Sequence, residues 1–472
     1  MTDIYDLIVV GHGAAGLAAA VTYAQETTAD KSKRIAVLER SPIEERGGAT
    51  QWTGAFLRIT QDLQLDTDWT DRMDRASGGR ADLDYCRAIE ADTPDAIRFL
   101  QQGGVGINFA PFPFPHTFSG GVPSMLPPAS PEGGGASIVS TLSAILESDS
   151  RVDLRYDTEA VTLTRSADGA ITGITIRESD GRMTTLTAPA VILACGGFEG
   201  NYDMLTQHVG PRAKDLPPIA PGISNNRGDA LRMVLEVGGD TAGQFDGIHS
   251  EPVDRRSSAA DAVLYGYPAG IFVNAAVERF FDEGQDTWDN TFEHIGYEIW
   301  KNQNQEAYWV GDARSMQIEG FMNSFLSDVP PEQSESLAGL ADKLGIDPEA
   351  LSRTVHDFNA ATGPEPFDHT LMDGKSTHGI TPPKSNWATP IEEPPFVGIP
   401  VTAAICFTYG GVRTDLSARV LTAADQPIPG LYAAGEATGL FHNEYPPATS
   451  VLRSIIFGRR AGSHVAAGAS AS

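Results

Sequence analysis

Three glycines have a clear chemical use in this chain: Gly11, Gly13 and Gly16, spaced G-x-G-x-x-G in Gly11-His12-Gly13-Ala14-Ala15-Gly16. The first glycine of such a turn permits a tight bend. The second lets the backbone approach a pyrophosphate, and the third lets a helix pack closely on a strand. Free N–H groups at the helix N-terminus then face the anion. Glu39 can accept hydrogen bonds from a ribose diol. The spacing alone is a weak signal, so the elements around it matter. Residues 6–10 are a continuous apolar run suited to burial on both faces of a parallel sheet. A helix-like stretch follows at 17–24, and a second strand at 34–38 delivers Glu39 and Arg40. Strand, turn, helix, strand and acid in that order predict a dinucleotide-binding unit.

Composition narrows the partners. A chain of 472 residues exceeds one small core and implies two to three units, or one large α/β domain with an insertion. The net charge of −28 repels phosphate backbones and anionic lipid, which argues against nucleic acid as a partner. It also disfavours an anionic substrate unless local Arg and His override the field. The three cysteines, Cys86, Cys195 and Cys406, are far apart and form no C-x-x-C pair. That argues against a disulfide framework, a metal site or a redox pair, and predicts buried apolar thiols in a reducing compartment. No apolar run reaches the length of a membrane span. The chain enters a strand by about its fifth residue, which leaves no room for a signal peptide. A soluble, cytoplasmic protein is expected.

Two further segments bear on which dinucleotide is bound. Arg46-Gly47-Gly48-Ala49-Thr50 supplies a second glycine pair, and 429–439 ends a strand in Gly435-Glu436, placing a carboxylate where a ribityl chain could lie. No second G-x-G-x-x-G exists for NAD. These features are similar to those of FAD proteins whose chain returns late to complete the cofactor site. The blocks at 191–201, 226–230 (Asn226-Arg227-Gly228-Asp229-Ala230), 270–283, 408–415 and 457–462 run in the order of the fumarate reductase/succinate dehydrogenase flavoprotein superfamily, which the chain resembles over nearly its whole length. Residues 46–51, 282–284 and 439–441 look most like the tricarballylate dehydrogenase-type members. Tyr445-Pro446 running into Ala448-Thr449 is similar to the 3-ketosteroid dehydrogenase type.

The resemblance implies an α/β fold: a Rossmann-like FAD-binding domain (GR2-type) in two parts, 1–240 and 384–472, with an inserted α+β capping domain at 241–383. For FAD it implies Gly11, Gly13, Ala14, Ala15 and Gly16 at the turn, and Glu39 and Arg40 at the second strand. Gly47, Gly48, Ala49, Thr50, Thr53 and Gly54 follow. Val161, Ala194, Gly196, Gly197, Asn201 and Asp229 come from the middle of the chain, and Gly435, Glu436, Ser450 and Val451 from its end. Gln51-Trp52-Thr53 offers no His for a covalent link, so the flavin is expected to be non-covalent. Strands at 152–155, 160–164 and 170–177 and helices at 337–344 and 348–362 are predicted, with a frayed tail after Ala461 whose last six or so residues are disordered.

The implied chemistry is hydride transfer between a substrate carbon and flavin N5, making or reducing a C=C bond α,β to a carbonyl or carboxyl group. Three departures argue against fumarate or succinate: no Arg within 282–288, no His within 404–407, and Asn443-Glu444-Tyr445-Pro446-Pro447 in place of an Asn-Arg-Leu-Gly-Gly segment. His249 stands where the superfamily carries a substrate-contacting His, or is an ordinary bonded histidine at a hinge. Tyr445 polarises a carbonyl or shuttles a proton, or simply packs on the flavin. His442 is a further pocket candidate. Arg453 clamps a substrate carboxylate or pairs with an acid, Tyr409 is a weaker candidate, and Arg279 braces a strand. Residues 109–128, rich in Phe and Pro, are expected to wall the ring system, and Gly133 to Ser137 to face the flavin. A small carbonyl- or carboxyl-bearing substrate and an unidentified electron acceptor are implied. A flavin monooxygenase or oxidase and a non-catalytic flavin electron carrier are the alternatives.

Overall fold

The computed structural model describes residues 3–66 and 68–470, without the side chains of 469 and 470. At its centre Leu7–Val10 lies fully buried between Ile35–Leu38 and Val191–Leu193, all parallel. The six-stranded sheet runs Arg419–Leu421, Pro427–Ala433, Val191–Leu193, Leu7–Val10, Ile35–Leu38, Val152–Arg155, and only its Arg419–Leu421 edge is antiparallel. Because both faces are covered, its central strands read as unbroken apolar runs rather than alternating ones.

The helix Ala14–Glu26 starts directly at the glycine turn and is built mainly from small residues. That composition lets the closing helix Ser450–Ser470 lie against it. A Cβ on Gly458 would sit 2.2 Å from the carbonyl oxygen of Ala15, so only glycine permits this approach. The same packing overturns the expected fraying after Ala461. Ala461, Val465 and Ala466 are buried, and the helix continues to Ser470. Residues 471 and 472 of the expected disordered tail lie outside the described residues.

A four-stranded sheet, Asp3–Ile4, Met183–Thr187, Ile171–Arg177 and Glu159–Arg165, flanks the first. A second large sheet is antiparallel throughout: Ile248–Asp254, Phe396–Thr408, Ala307–Gly311 and Ile271–Asn274, with Glu332–Ser334 also on Phe396–Thr408. Phe396–Thr408 lies beyond residue 383 yet pairs with three strands of this sheet. The sheet therefore reaches into the segment expected to be the closing part of the dinucleotide domain. Trp288–Lys301 lies across Ile248–Asp254 and Phe396–Thr408. The aromatic stretch 288–309 buries both within this lobe, with Trp309 in a core that includes Phe272, Val397 and Ile399, and against residues 1–240, where Trp288 meets Phe112 and Phe118 and Trp300 donates to the Arg212 carbonyl. Leu337–Leu344 and Pro348–Ala361 pack on the outer side of the same sheet around Tyr308, Ile271 and Val273. Arg279 braces this lobe: it pairs with the buried Glu283 and donates to the carbonyls of Phe281 and Pro382. Among the described residues, no helix is long and apolar enough to cross a membrane.

Candidate active site

One cavity runs from the glycine turn to the face of the antiparallel sheet. At one end it is lined by Gly11, Gly13, Ala14, Ala15, Glu39 and Arg40, then by Gly47, Gly48, Ala49, Thr50 and Thr53. The Thr50 hydroxyl caps the helix by accepting from the Ala14 N–H at 3.0 Å. The Glu39 carboxylate accepts from the Ser41 and His12 N–H groups at 2.8 and 3.2 Å, while burial pushes its pKa up. Arg40 is held by Asp229 at 2.6 Å and by Glu159 at 3.1 Å. Ala194, Gly196, Gly435, Glu436, Ser450 and Val451 complete the middle of the cavity.

Gly13 tests whether this end fits a dinucleotide. Its φ of −79° suits any residue, and a Cβ there would meet nothing nearer than 3.5 Å. Nothing in the protein demands glycine at this position; the side chain would instead occupy the cavity. Gly16 differs, since its Cβ would lie 2.0 Å from the Gly11 carbonyl oxygen, so its task is helix–strand packing and it does not line the cavity. Three buried donors of residues lining the space, Trp52 Nε1, Trp288 Nε1 and Arg453 Nε, have no partner in the protein, as expected of walls shaped for a polar guest.

Four other anticipated positions lie off the cavity. Val161 does not line it although its neighbour Ala160 does; the strand is bulged between Ala160 and Thr162. Asn201 caps the helix Tyr202–His208 and bonds the Arg227 carbonyl, and Asn225 and Asn226 line the space instead. Gly54 turns its N–H to Asp261. Gly197 packs under Glu436, where a Cβ would be 2.3 Å from the carboxylate. Gly133 to Ser137 also miss the cavity: Gly135 packs on the Thr50 carbonyl. Cys195 is only partly buried and lines the cavity, and Cys406, though buried, lines it too, unlike the fully apolar setting expected of them; Cys86 is buried away from it.

The other end is aromatic and acidic. Tyr445, His249 and Arg453 converge here, whereas His442 opens onto a separate surface hollow with Arg80, Asp82 and Arg413. The Tyr445 ring meets the rings of His249, Phe407 and Phe441 at 4.8, 4.9 and 4.9 Å. Its phenol oxygen accepts from the N–H groups of Thr449 and Ser450, both at 3.0 Å, at the start of the closing helix. Those two bonds fill the oxygen's acceptor sites and leave its O–H free to donate. Arg453 is buried over Phe441 at 4.8 Å, with one donated bond of 3.3 Å to the Thr438 carbonyl; burial lowers its pKa.

His249 is fully committed. Nδ1 lies 2.6 Å from Glu293 and Nε2 2.8 Å from Glu251. Burial opposes its charge, but Glu293 and Glu251 outweigh burial and raise its pKa to about 9. Tyr409, behind the cavity wall, hydrogen-bonds the other oxygen of Glu293. Donor atoms of His249, Glu251 and Cys406 fall within 4.8 Å of one another, a grouping able to hold a cation, although the histidine's two nitrogens are already bonded to carboxylates. Deeper in the middle, burial and then the neighbouring Glu436 hold the Glu199 carboxyl well above its usual range.

Sequence reasoning missed Glu251, Asp261, Tyr265, Trp288 and Phe292, all lining this end. Glu251 lies two residues from His249 on one strand, and Trp288 and Phe292 are four apart on one helix, so strand and helix periodicity held the signal. The loop 109–128 contributes Phe118 to the wall, while Phe112 stacks on Trp288 at 4.7 Å and Phe114 packs on Trp387. The buried Arg58 ties these parts together. It pairs with Asp66, donates to the Thr117 carbonyl at 3.1 Å and to the Pro447 carbonyl at 3.2 Å, and so fixes the loop relative to the Tyr445 segment.

This combination of parallel sheet, glycine turn and returning Gly-Glu strand defines a flavin-binding oxidoreductase class. A family model described as FAD binding domain matches residues 6–452, and the chain belongs to that family, within the fumarate reductase/succinate dehydrogenase flavoprotein superfamily. It is 26% identical to a fumarate reductase (cytochrome) from Shewanella frigidimarina, over 98% of this chain and 77% of that one. It is 25% identical to a vinyl phenol reductase from Lactiplantibacillus plantarum, over 98% of this chain and 97% of that one. Among solved structures, the 3-ketosteroid-Δ4-(5α)-dehydrogenase from Rhodococcus jostii RHA1, in complex with 4-androstene-3,17-dione, superposes with a TM-score of 0.71 at 25% identity, covering 98% and 97% of the two chains. The cofactor is FAD.

Proposed function

We propose that this protein makes or reduces a carbon–carbon double bond next to a carbonyl group, with FAD held non-covalently along the cavity. One observation carries the reading: a phenol, Tyr445, reaches the cavity with its oxygen bonded by two helix-terminal N–H groups and its proton free. Such a hydroxyl is a directed donor for a substrate carbonyl oxygen. The helix N-terminus stabilises the negative charge it would carry after giving up the proton.

The chemistry FAD supplies when bound is two-electron hydride exchange. The glycine turn, Glu39 and Glu436 would hold its nucleotide and ribityl parts. Arg453 brings a buried positive charge with unused donors to the ring end, suited to acceptor oxygens there. Tyr265 is a second phenol, held well above the ordinary range by burial, Glu251 and Asp261, and so presents a neutral O–H. Together Tyr445 and Tyr265 orient and polarise the substrate while Phe56, Phe118 and Trp288 exclude water.

Non-covalent attachment is supported by the histidines that line the cavity. His12 sits on the glycine turn with Nε2 on Ser143, and both nitrogens of His249 bond carboxylates. The antiparallel sheet with its helices, nominally 241–383 plus the strand Phe396–Thr408, acts as the lobe that roofs the ring. The vinyl phenol and ketosteroid enzymes it resembles support a substrate other than a C4 diacid. In the test, purified holoenzyme is mixed anaerobically with cyclohex-2-enone after dithionite reduction of the flavin. Return of the oxidised spectrum supports the reading, and an unchanged spectrum across a panel of cyclic and aryl enones defeats it. NAD(P)H consumption coupled to oxygen would point to a monooxygenase instead.

A further inference from the structure

The part of the cavity beyond Tyr445 is an aromatic box closed by two carboxylates, and from this we infer that the substrate, on the reading above, carries a cationic nitrogen remote from its carbonyl. The box is continuous. Tyr265 packs on Trp288 at 4.8 Å and on Phe292 at 5.9 Å, Trp288 meets Phe118 at 5.3 Å, and Phe118 meets Phe56 at 5.7 Å. All five line the cavity. Their faces carry the negative quadrupole that attracts a desolvated ammonium or guanidinium group.

Glu251 stands beside the box. It is 7% exposed; one carboxylate oxygen bonds His249 and the other, Oε2, has no hydrogen-bond partner although it is buried. The Cys406 thiol, a weak donor, lies within 4.8 Å of this carboxylate. A buried carboxylate oxygen left unsatisfied is costly, and a ligand N–H or an alkylammonium would satisfy it. Asp261 lines the same end; burial first and Glu251 second raise its pKa, which a cation seated between them would reverse.

The charge count has the same sign. Glu251, Glu293 and Asp261 surround a single imidazolium, His249, whose two N–H groups are spent on Glu251 and Glu293. The remaining cations on the cavity wall are Arg40, clamped by Asp229 and Glu159 at the far end, and Arg453, packed on Phe441. Arg453 is the one other positive charge that converges on this end, and it lies over Phe441; among the described residues no guanidinium or ammonium group lies over a ring of the box. The chain's net charge of −28 draws cations toward the entrance. A carboxylate-bearing substrate placed here would meet acids, so the site selects against it.

Three probes decide this, benzyltrimethylammonium, its neutral isostere neopentylbenzene and the anion phenylacetate, titrated into oxidised holoenzyme and followed by perturbation of the flavin absorbance. Benzyltrimethylammonium is expected to bind at least about tenfold more tightly than neopentylbenzene, and phenylacetate more weakly than either. Asp261→Asn should narrow the first ratio and Glu251→Gln should erase it; the Asp261 variant leaves the His249 bonds intact. Phenylacetate binding as tightly as the ammonium probe, or an ammonium preference surviving both substitutions, overturns the inference. Because the titration needs only bound FAD, it can succeed where enone turnover fails, so loss of one reading is distinguishable from loss of the other.

Discussion

The two ends of the cavity are made by different means. The nucleotide end is mostly backbone: a glycine turn, a helix N-terminus and a strand-end acid, all within the first 54 residues plus a few that return. The other end is mostly side chain, and its members arrive from residues 56, 118, 249–292 and 406–453. A backbone-built site announces itself by local spacing, because the chain must turn in one way to expose its N–H groups. A side-chain-built site does not, because any element crossing the space can contribute.

The largest expected effect tests the backbone end. Gly13→Val should yield a folded but colourless protein, since its side chain fits the protein and fills only the cavity; a retained flavin spectrum would refute the site. Next, Tyr445→Phe should keep FAD bound and slow half-reaction rates by on the order of 10²-fold, the usual reach of a positioned acid or base. An unchanged rate in stopped-flow would reduce Tyr445 to packing.

His249 sharpens the contrast through pH. Its folded pKa of about 9 exceeds its ordinary 6.5, so protonation favours the native state. The stabilisation, about 3 kcal/mol for a fully buried shift of this size, is complete below pH 6.5 and declines as pH rises through 9. Chemical denaturation from pH 6 to 9.5 should show this loss in wild type and much less of it in His249→Gln; equal slopes would remove the charge from His249. The smallest effect is expected at His442. His442→Ala, outside the cavity, should change turnover by less than about twofold, and a large loss would bring the second hollow into the site.

Legibility followed the same division. The strand Leu7–Val10, the helix after it and the pairing with Ile35–Leu38 lie close to where apolar runs and glycine spacing placed them, and Leu337–Leu344 matches its expected bounds. Val161 lies off the cavity while its neighbour Ala160 lines it, at a bulge that comes from pairing with a distant strand rather than from local sequence. Asn201 failed because an Asn before a short helix also serves as its cap. Glu251 and Asp261 went unnoticed because, in an acidic chain, two more carboxylates carry no signal until burial makes them expensive.

By itself the sequence determined a dinucleotide-binding unit and a glycine turn suited to a pyrophosphate, since those features depend on local turns and unbroken apolar strands. Only the tertiary structure decided what lines the far end of the cavity. It aligned Tyr445 on a helix terminus, enclosed His249 between Glu251 and Glu293, sent His442 elsewhere, and assembled five aromatic rings beside two acids. Contacts between residues hundreds of positions apart depend on how lobes close, and chain order does not encode that distance.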